Sequence, residues 1–598
     1  MAQEIKKITN NDEVKHNNDQ ESKWVHDSSI DYKGNTPARA STGAWRASIF
    51  IIAMELSERV TYFGTALNLI IYFTKVLHQD IKTAARNVNY WSGVTTILPL
   101  FAAFLADAYF GRFLVILLSS IIHIMGLSLL TMSQFIPILK PCNQVENHCN
   151  RDPKVHEIVF FIGLYFLALG TGGYLPSLQS FGADQFDENH LKERMQRMSF
   201  FNWWVFVVCT GILLGMTLIV YVQDHLGWGL ATTILTVMMG VSVLVFYFGK
   251  PFYRYRKPQG SPLIPIFQVL IAALIKRKLP HPSSPDMLYE MSESHNLHGR
   301  LLCHTNSLRC LDKAAIVEDN AQRINTKRLA TVTMVEETKL VFNLFPIWLT
   351  SVIFGVCLAQ SPTFFIKQSS MMNRKIGNGY EIPPPSVGTV GPITMLLAVA
   401  LYEKILIPAL RNVKGDERGL KILQRIGIGM IFPILGMAIA ALVERKRLGL
   451  AKEEVEQENQ TGQILPMSVF WILPQYIIFA IADTFALVGL QEFFYEQAPE
   501  SMRSLGVAFL YSALGVGNFV SGFIISITAN ITEKLGTSWF GKDLNNSRLD
   551  KFYWLMTIIS ALNLGMYVFF AKRQMYKNVK NKMSVANDLE VDRAHAMT

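Results

Sequence analysis

Ser48-Ile-Phe-Ile-Ile-Ala-Met-Glu55-Leu-Ser-Glu58-Arg59-Val-Thr-Tyr62-Phe-Gly-Thr-Ala-Leu-Asn-Leu-Ile-Ile-Tyr-Phe73 is the stretch that decides how the chain is read. Apart from three charges it is a mostly apolar run long enough to cross a bilayer, because about 20 such residues span the hydrocarbon core as a helix. A charge at that depth costs about 2.5–3.5 kcal/mol even on lenient insertion scales, so it has to face a partner or a wet cavity. On a helix Glu55 and Glu58 stand three apart and Glu55 and Arg59 four apart, with Tyr62 and Ala66 prolonging the stripe. One face is a polar seam with both signs of charge. It lines a cavity, or it is an ion pair that only fastens one helix to another.

Composition agrees with a membrane setting. Half of the 598 residues are hydrophobic and the formal net charge is +10, a balance that fits Lys and Arg kept on the cytoplasmic side better than a nucleic-acid partner. No Cys/His cluster has metal-site spacing and no glycine-rich phosphate loop follows a strand-like run. No metal and no cofactor are therefore expected. The spans hold no nucleophile–base pair, which argues against an enzyme. The first 45 residues are polar and mixed in charge. They are read as a disordered cytoplasmic N-terminus without a signal peptide, leaving the first span as the targeting signal.

Apolar runs of spanning length recur at 47–75, 88–110, 113–138, 157–180, 198–221 and 226–249, and again at 338–366, 385–410, 421–444, 466–494, 501–530 and 553–573. The expected architecture is an all-α membrane protein with twelve transmembrane helices in two six-helix bundles of the major facilitator type, joined by a cytoplasmic bridge. Residues 46–249 form the first bundle, 250–336 the bridge, 337–574 the second bundle and 575–598 a cytoplasmic tail. The bridge carries Lys250, Arg254, Arg256, Lys257, Lys276, Arg277, Lys278, Arg323, Lys327 and Arg328, which places it inside, and both termini with it. Asn-x-Ser/Thr sequons at Asn459, Asn530 and Asn545, and the pair Cys142 and Cys149, then fall on outside connections, where a disulfide is chemically permitted. Leu263 to Ile275, ending in Lys276-Arg277-Lys278, is too short to span and reads as a helix lying along the inner face.

Several further groups sit where chemistry is needed. Asp107-Ala-Tyr-Phe-Gly111-Arg112 turns the chain tightly between two spans, with Asp107 and Arg112 able to pair as a conformational latch or as a structural cap. Gly170-Thr-Gly-Gly173-Tyr-Leu-Pro176 reads as a helix able to bend near a site. Asn202, within Phe200-Phe-Asn-Trp-Trp204, needs a polar partner. Gln360 and Gln475 are candidate cavity positions. Asp483 is a lone carboxylate in mid-span, costly unless it faces a cavity.

At these residues the chain resembles the plant nitrate/peptide transporter family, relatives of the proton-dependent oligopeptide transporters within the major facilitator superfamily. The resemblance runs from about residue 40 to 575. It rests on Glu55-x-x-Glu58-Arg59, Asp107 to Arg112, Phe181 to Glu188, Leu308-Arg-Cys-Leu-Asp-Lys-Ala-Ala315, Gln491 to Pro499, and Ser501-Met-Arg503. It implies a twelve-span rocker-type carrier driven by the proton gradient, with Glu55, Glu58 and Arg59 in proton coupling and Asp483 in the place of a cavity acid that is more usually Glu. The departures are Leu175 for a fourth-span lysine, Ala66 for a second arginine, Leu358 for a seventh-span histidine linked to nitrate, and Val115 for a phosphorylatable threonine.

The expectation is a secondary active transporter. It works by proton-coupled symport of a small solute, an organic molecule such as a glycoside or else nitrate, through alternating access. Tyr62, Asn202, Gln360, Gln475 and Asp483 are the expected substrate contacts, and Asp107, Gly111 and Arg112 the latch. The competing readings are a proton-independent facilitator or exporter of the same fold, favoured by Leu175, and a membrane sensor that binds without moving solute. Its expected partners are the small-molecule substrate, protons and the lipid bilayer. The protein is expected to be a monomer in the plasma or vacuolar membrane.

Overall fold

The structure, a computed structural model, describes residues 23–139 apart from 26, 153–187, 190–256, 258, 263–280, 288–289, 302, 304–317, 329–377, 379–414, 420–458, 464–498, 503–541 and 543–574. Cys142, Cys149 and Asn459 lie outside the described residues.

Helices dominate because a chain in hydrocarbon has to satisfy every backbone N–H and C=O within itself. The first six spans are α1 (Ala44–Ala66, resuming as Leu69–Lys75), α2 (Ile81–Leu105), α3 (Arg112–Phe135), α4 (Pro153–Ala183), α5 (Leu191–Leu214, then Val220–His225) and α6 (Trp228–Phe248). The second six are α7 (Val332–Leu358, then Ile366–Ser370), α8 (Val390–Leu401, then Ile407–Lys414), α9 (Ile422–Gly429, then Ile431–Glu458), α10 (Leu473–Ala482, then Val488–Gln497), α11 (Arg503–Lys534) and α12 (Leu549–Arg573). Eleven are long and apolar enough to cross a bilayer by length and composition. The other is α1, whose apolar run carries Glu55, Glu58 and Arg59.

Small residues set how closely the helices approach, as they do where lipid offers no hydrophobic drive. A Cβ on Gly215 of α5 would stand 2.9 Å from the backbone N of Gly64 in α1. The two bundles meet along α2 and α11, where a Cβ on Gly93 would lie 2.9 Å from the Phe519 ring and one on Gly515 2.5 Å from Ile97. In α4 the glycines also serve as points of close contact. The helix runs through Gly170–Gly173 without a break, and a Cβ on Gly170 would sit 2.5 Å from that of His123 in α3. They are contact points that let α3 and α4 pack at close range.

Part of the segment expected to be disordered, residues 1–45, is ordered. Ser29–Ile30 pairs antiparallel with Tyr255–Arg256, and Trp24 bridges to Ala38. The reason is charge. Arg39 reaches Asp187 at 2.9 Å and Glu193 at 2.6 Å. The fully buried Arg254 reaches Glu193 at 2.6 Å and donates to the Thr42 carbonyl at 2.8 Å. Gly43 adopts a positive φ beside that guanidinium, where a Cβ would lie 2.3 Å from Nε. A polar composition thus folds back onto acids at the ends of α4 and α5.

The lateral helix, Leu263–Ile275, presses Val269, Ala272 and Ala273 against Leu311, Ala314, Ala315 and Val335. The Leu308–Ala315 motif forms a 3-10 turn over Arg309–Ala315 whose Asp312 meets Lys339 of α7 at 2.6 Å. Glu336 lies 2.7 Å from the same ammonium, and His304 lies 3.1 Å from Asp312. His304, Asp312 and Glu336 are close enough to hold a metal ion, but the Lys339 ammonium already bridges the two acids. The cluster docks the bridge on the second bundle.

Candidate functional site

The polar seam of α1 is buried. Glu55 and Glu58 have no exposed surface, while the Arg59 side chain keeps 19% of its own. Arg59 Nε donates to Glu55 Oε1 at 2.7 Å and lies 3.4 Å from Glu58 Oε2. Glu55 Oε2 and both Glu58 oxygens are buried with no hydrogen-bond donor. One guanidinium therefore serves two carboxylates through its Nε edge. Position i+4 on the helix makes the Glu55 contact automatic, and Gly211 of α5 lets the neighbouring helix pass: a Cβ there would be 2.5 Å from Arg59 Cβ. Tyr62, half-buried one turn on, stacks on Trp91 of α2 at 5.8 Å.

The other expected contacts divide. Asp483 is half-buried, and its Oδ1 is buried without a partner. It starts a π-helical turn, Asp483–Leu487, a local widening that recurs at functional positions. Tyr476, seven residues earlier, shares its face and is buried. Asn202 is exposed. It lies on the α5 face of Met216, fourteen residues or about 21 Å along the helix toward the bridge, and the Met216 carbonyl accepts from Ser386 at the start of the α8 region at 2.7 Å.

Gln360 and Gln475, expected as substrate contacts, are fully buried in this structure, each with its Oε1 unpaired. Gln360 is fully buried and donates to Ser521 of α11 at 3.0 Å, the hydroxyl that also accepts from Asn89 of α2 at 3.0 Å. It belongs to a polar knot between the bundles. Gln475 is fully buried too and donates to Gln368 Oε1 at 3.2 Å. Gln368 in turn donates to Glu444, whose other oxygen takes Arg447 at 2.7 Å. Arg447 also donates to Asn545 Oδ1 at 2.5 Å, so the side chain of that sequon is engaged rather than displayed. Composition hid this network because an amide in a span looks the same whether it faces water or another amide. Glu444-x-x-Arg447, an ion pair one turn apart at the end of an apolar run, was the available signal.

Asp107, Gly111 and Arg112 come together as expected. Asp107 sits in the π-helical turn Ala106–Phe110 that closes α2, and Gly111 has φ 77°, a conformation favouring glycine. Arg112 meets Asp107 at 2.9 Å and also binds Asp184 at the end of α4. Asp184 further meets Arg256 of the bridge at 3.4 Å. Burial lifts the Asp184 carboxyl above its ordinary value, against the pull of Arg112 and Arg256.

A set of hydrogen bonds and ion pairs joins the bundles from mid-helix to the end remote from the bridge. They include Asn89–Ser521, Ser386 to Met216, Lys367 to Thr74 at 3.2 Å, Lys82–Glu533 at 2.5 Å and Arg374–Asp224 at 3.8 Å.

Comparison with known proteins places this arrangement. Residues 113–542 match the model of the POT family. The chain is 52% identical over 567 residues to protein NRT1/PTR FAMILY 5.6 of Arabidopsis thaliana, covering 94% of this chain and 96% of that one. It is 50% identical over 577 residues to NRT1/PTR FAMILY 5.7 of the same plant, covering 95% of each. The crystal structure of an auto-inhibited POT family peptide transporter superposes with a TM-score of 0.65 over 89% of this chain and 98% of that one, at 17% identity. A POT family transporter in complex with 5-aminolevulinic acid gives 0.59 over 89% and 97%, at 13% identity. At such identities the superpositions speak to the fold alone. The chain belongs to the POT family, among the plant nitrate/peptide transporters, and is a multi-pass membrane transporter of the major facilitator type, not an enzyme.

Proposed function

We propose that this transporter moves a small solute together with protons by alternating access, with Glu55, Glu58 and Arg59 as the coupling group. The observation that carries the reading is the Glu58 carboxylate: fully buried, both oxygens without a donor, and within 3.4 Å of a guanidinium already engaged by Glu55. A proton on Glu58 removes one charge from that triad and loosens its hold on Arg59. The freed guanidinium, which retains exposure, is then available to solute. Loss of the proton restores the pairing and draws the seam together. Protonation thereby changes what it costs to part the helices around α1.

Asp483 and Tyr62 supply solute contacts from opposite bundles, and Asn202 lies at the bridge-side mouth. One cation against three acids favours neutral or cationic organic solutes, glycosides among them, over dipeptides, whose carboxylate calls for convergent donors. Nitrate is the second solute class, since one arginine and a co-transported proton suffice for a monovalent anion.

The test is an uptake screen. Oocytes expressing wild type, Glu58→Gln or Arg59→Ala are bathed in a plant solute extract at acid external pH, and their contents are compared by mass spectrometry. Accumulation that follows the pH step in wild type and vanishes in Glu58→Gln is the expected result. Undiminished pH-driven uptake by Glu58→Gln removes the assignment. Uptake indifferent to pH in the wild type favours the facilitator, to which Leu175 points.

A further inference from the structure

The turn that begins at Asp483 is held by a residue of another helix. Where α10 widens into its π-helical turn, the carbonyl of Thr484 accepts a hydrogen bond from Arg425 Nη2 of α9 at 3.0 Å. The same guanidinium lies 4.3 Å over the ring of Tyr402. Tyr402 opens the π-helical turn of α8, Tyr402–Leu406, and its ring meets Phe485 edge-on at 5.3 Å. Helix α9 touches the turn a second time at Gly429, where a Cβ would stand 2.3 Å from the backbone N of Ala486. Arg425 is nine-tenths buried, and it reaches Glu492 at 3.4 Å toward the bridge-side end of α10. A planar fork can stack on a ring and donate to a carbonyl in one pose, which an ammonium cannot do equally well.

We propose that Arg425 is a positioning residue: by gripping the Thr484 carbonyl and the Tyr402 ring it keeps α10 in its widened register and so aims Asp483 at the solute path. Relaxing that turn to an α-helix rotates Asp483 relative to the residues beyond Leu487 by about 100°, the twist of one helical residue. The side chain then points into neighbouring helices. The proposal rests on reading Asp483 as a solute contact, and it adds the group that sets its direction. The two halves of the claim separate experimentally.

The full-length chain is reconstituted in lipid nanodiscs as wild type, Arg425→Lys and Arg425→Met. Each is treated with dicyclohexylcarbodiimide, which modifies protonated carboxyls in apolar surroundings, and labelling at Asp483 and Glu58 is read by peptide mass spectrometry. The expected result is a fall of about tenfold in the Asp483-to-Glu58 labelling ratio in Arg425→Met, the scale of losing a charge-assisted hydrogen bond that selects one register, with partial recovery in Arg425→Lys. An unchanged ratio overturns the proposal. So does an equal fall at both carboxyls, the mark of general loosening. If Arg425→Met does not fold, Tyr402→Leu removes the stacking ring without removing the charge, and its ratio decides by the same criteria. Wild-type uptake by Asp483→Asn would instead end the solute-contact reading while leaving the labelling result intact.

Discussion

Gly211 offers the sharpest physical test of how the charged seam is seated. Replacing it with Ala puts a methyl group 2.5 Å from Arg59 Cβ and 3.3 Å from the Leu56 carbonyl. Real Cβ atoms do not approach that closely, and the obstacle is the root of the arginine rather than its mobile end, so α5 must back away from α1. Two terms compete. Gly→Ala within a helix is worth about 1 kcal/mol in propensity, whereas overpacking a closely fitted contact costs about 1–3 kcal/mol. Gly240 of α6 supplies the reference, because a Cβ there has nothing within 4 Å. Gly240→Ala is therefore expected to gain the full propensity term. Gly211→Ala is expected to lie about 1–3 kcal/mol below it, the overpacking cost. The assay is thermal unfolding of both purified variants in one detergent, followed by pH-driven uptake. Gly211→Ala should lose uptake as well as stability, since the displaced backbone is that of the coupling arginine. If the two alanine variants are equally stable and equally active, the close approach of α5 to Arg59 is not what seats the seam.

Other outcomes follow from the charge networks. Arg254→Met leaves Glu193 buried with Arg39 as its remaining cation, and should cost about 3 kcal/mol, the lower range for breaking a buried pair, read by thermal unfolding. Asp184 has a folded-state pKa raised by burial, so the folded protein binds more protons than the unfolded chain across that window and wild-type stability rises as pH falls through it. The melting difference between wild type and Asp184→Asn should therefore shift in favour of wild type on acidification, and a shift the other way contradicts the burial argument. Glu533→Gln removes a pair with Lys82 in which both side chains are over a third exposed, so it should change stability by at most about 1 kcal/mol despite the short contact.

Reading outward from particular residues shows what was legible in the chain. The charged first span, the recurring apolar runs and the basic bridge were enough for the fold class, because the bilayer imposes length and apolarity residue by residue. Glu55, Glu58 and Arg59 were legible for the same reason, since spacing along one helix already sets which of them meet. The partners of Gln360 and Gln475, the close contacts of the α4 glycines and the ordered part of the first 45 residues were not legible. Each of these depends on what a different segment brings to the same point in space.

Local periodicity by itself determined that this chain crosses a membrane many times and carries an acid–base triad on one helical face, because both follow from covalent neighbours. Only tertiary packing decided which polar groups are satisfied: Ser521 takes Gln360 and Asn89, Arg425 takes the Thr484 carbonyl, and Glu58 and Asp483 are left with oxygens that no donor reaches. A buried polar atom's cost depends on the partner supplied from elsewhere in the fold, and that partner is not written in the stretch that holds the atom.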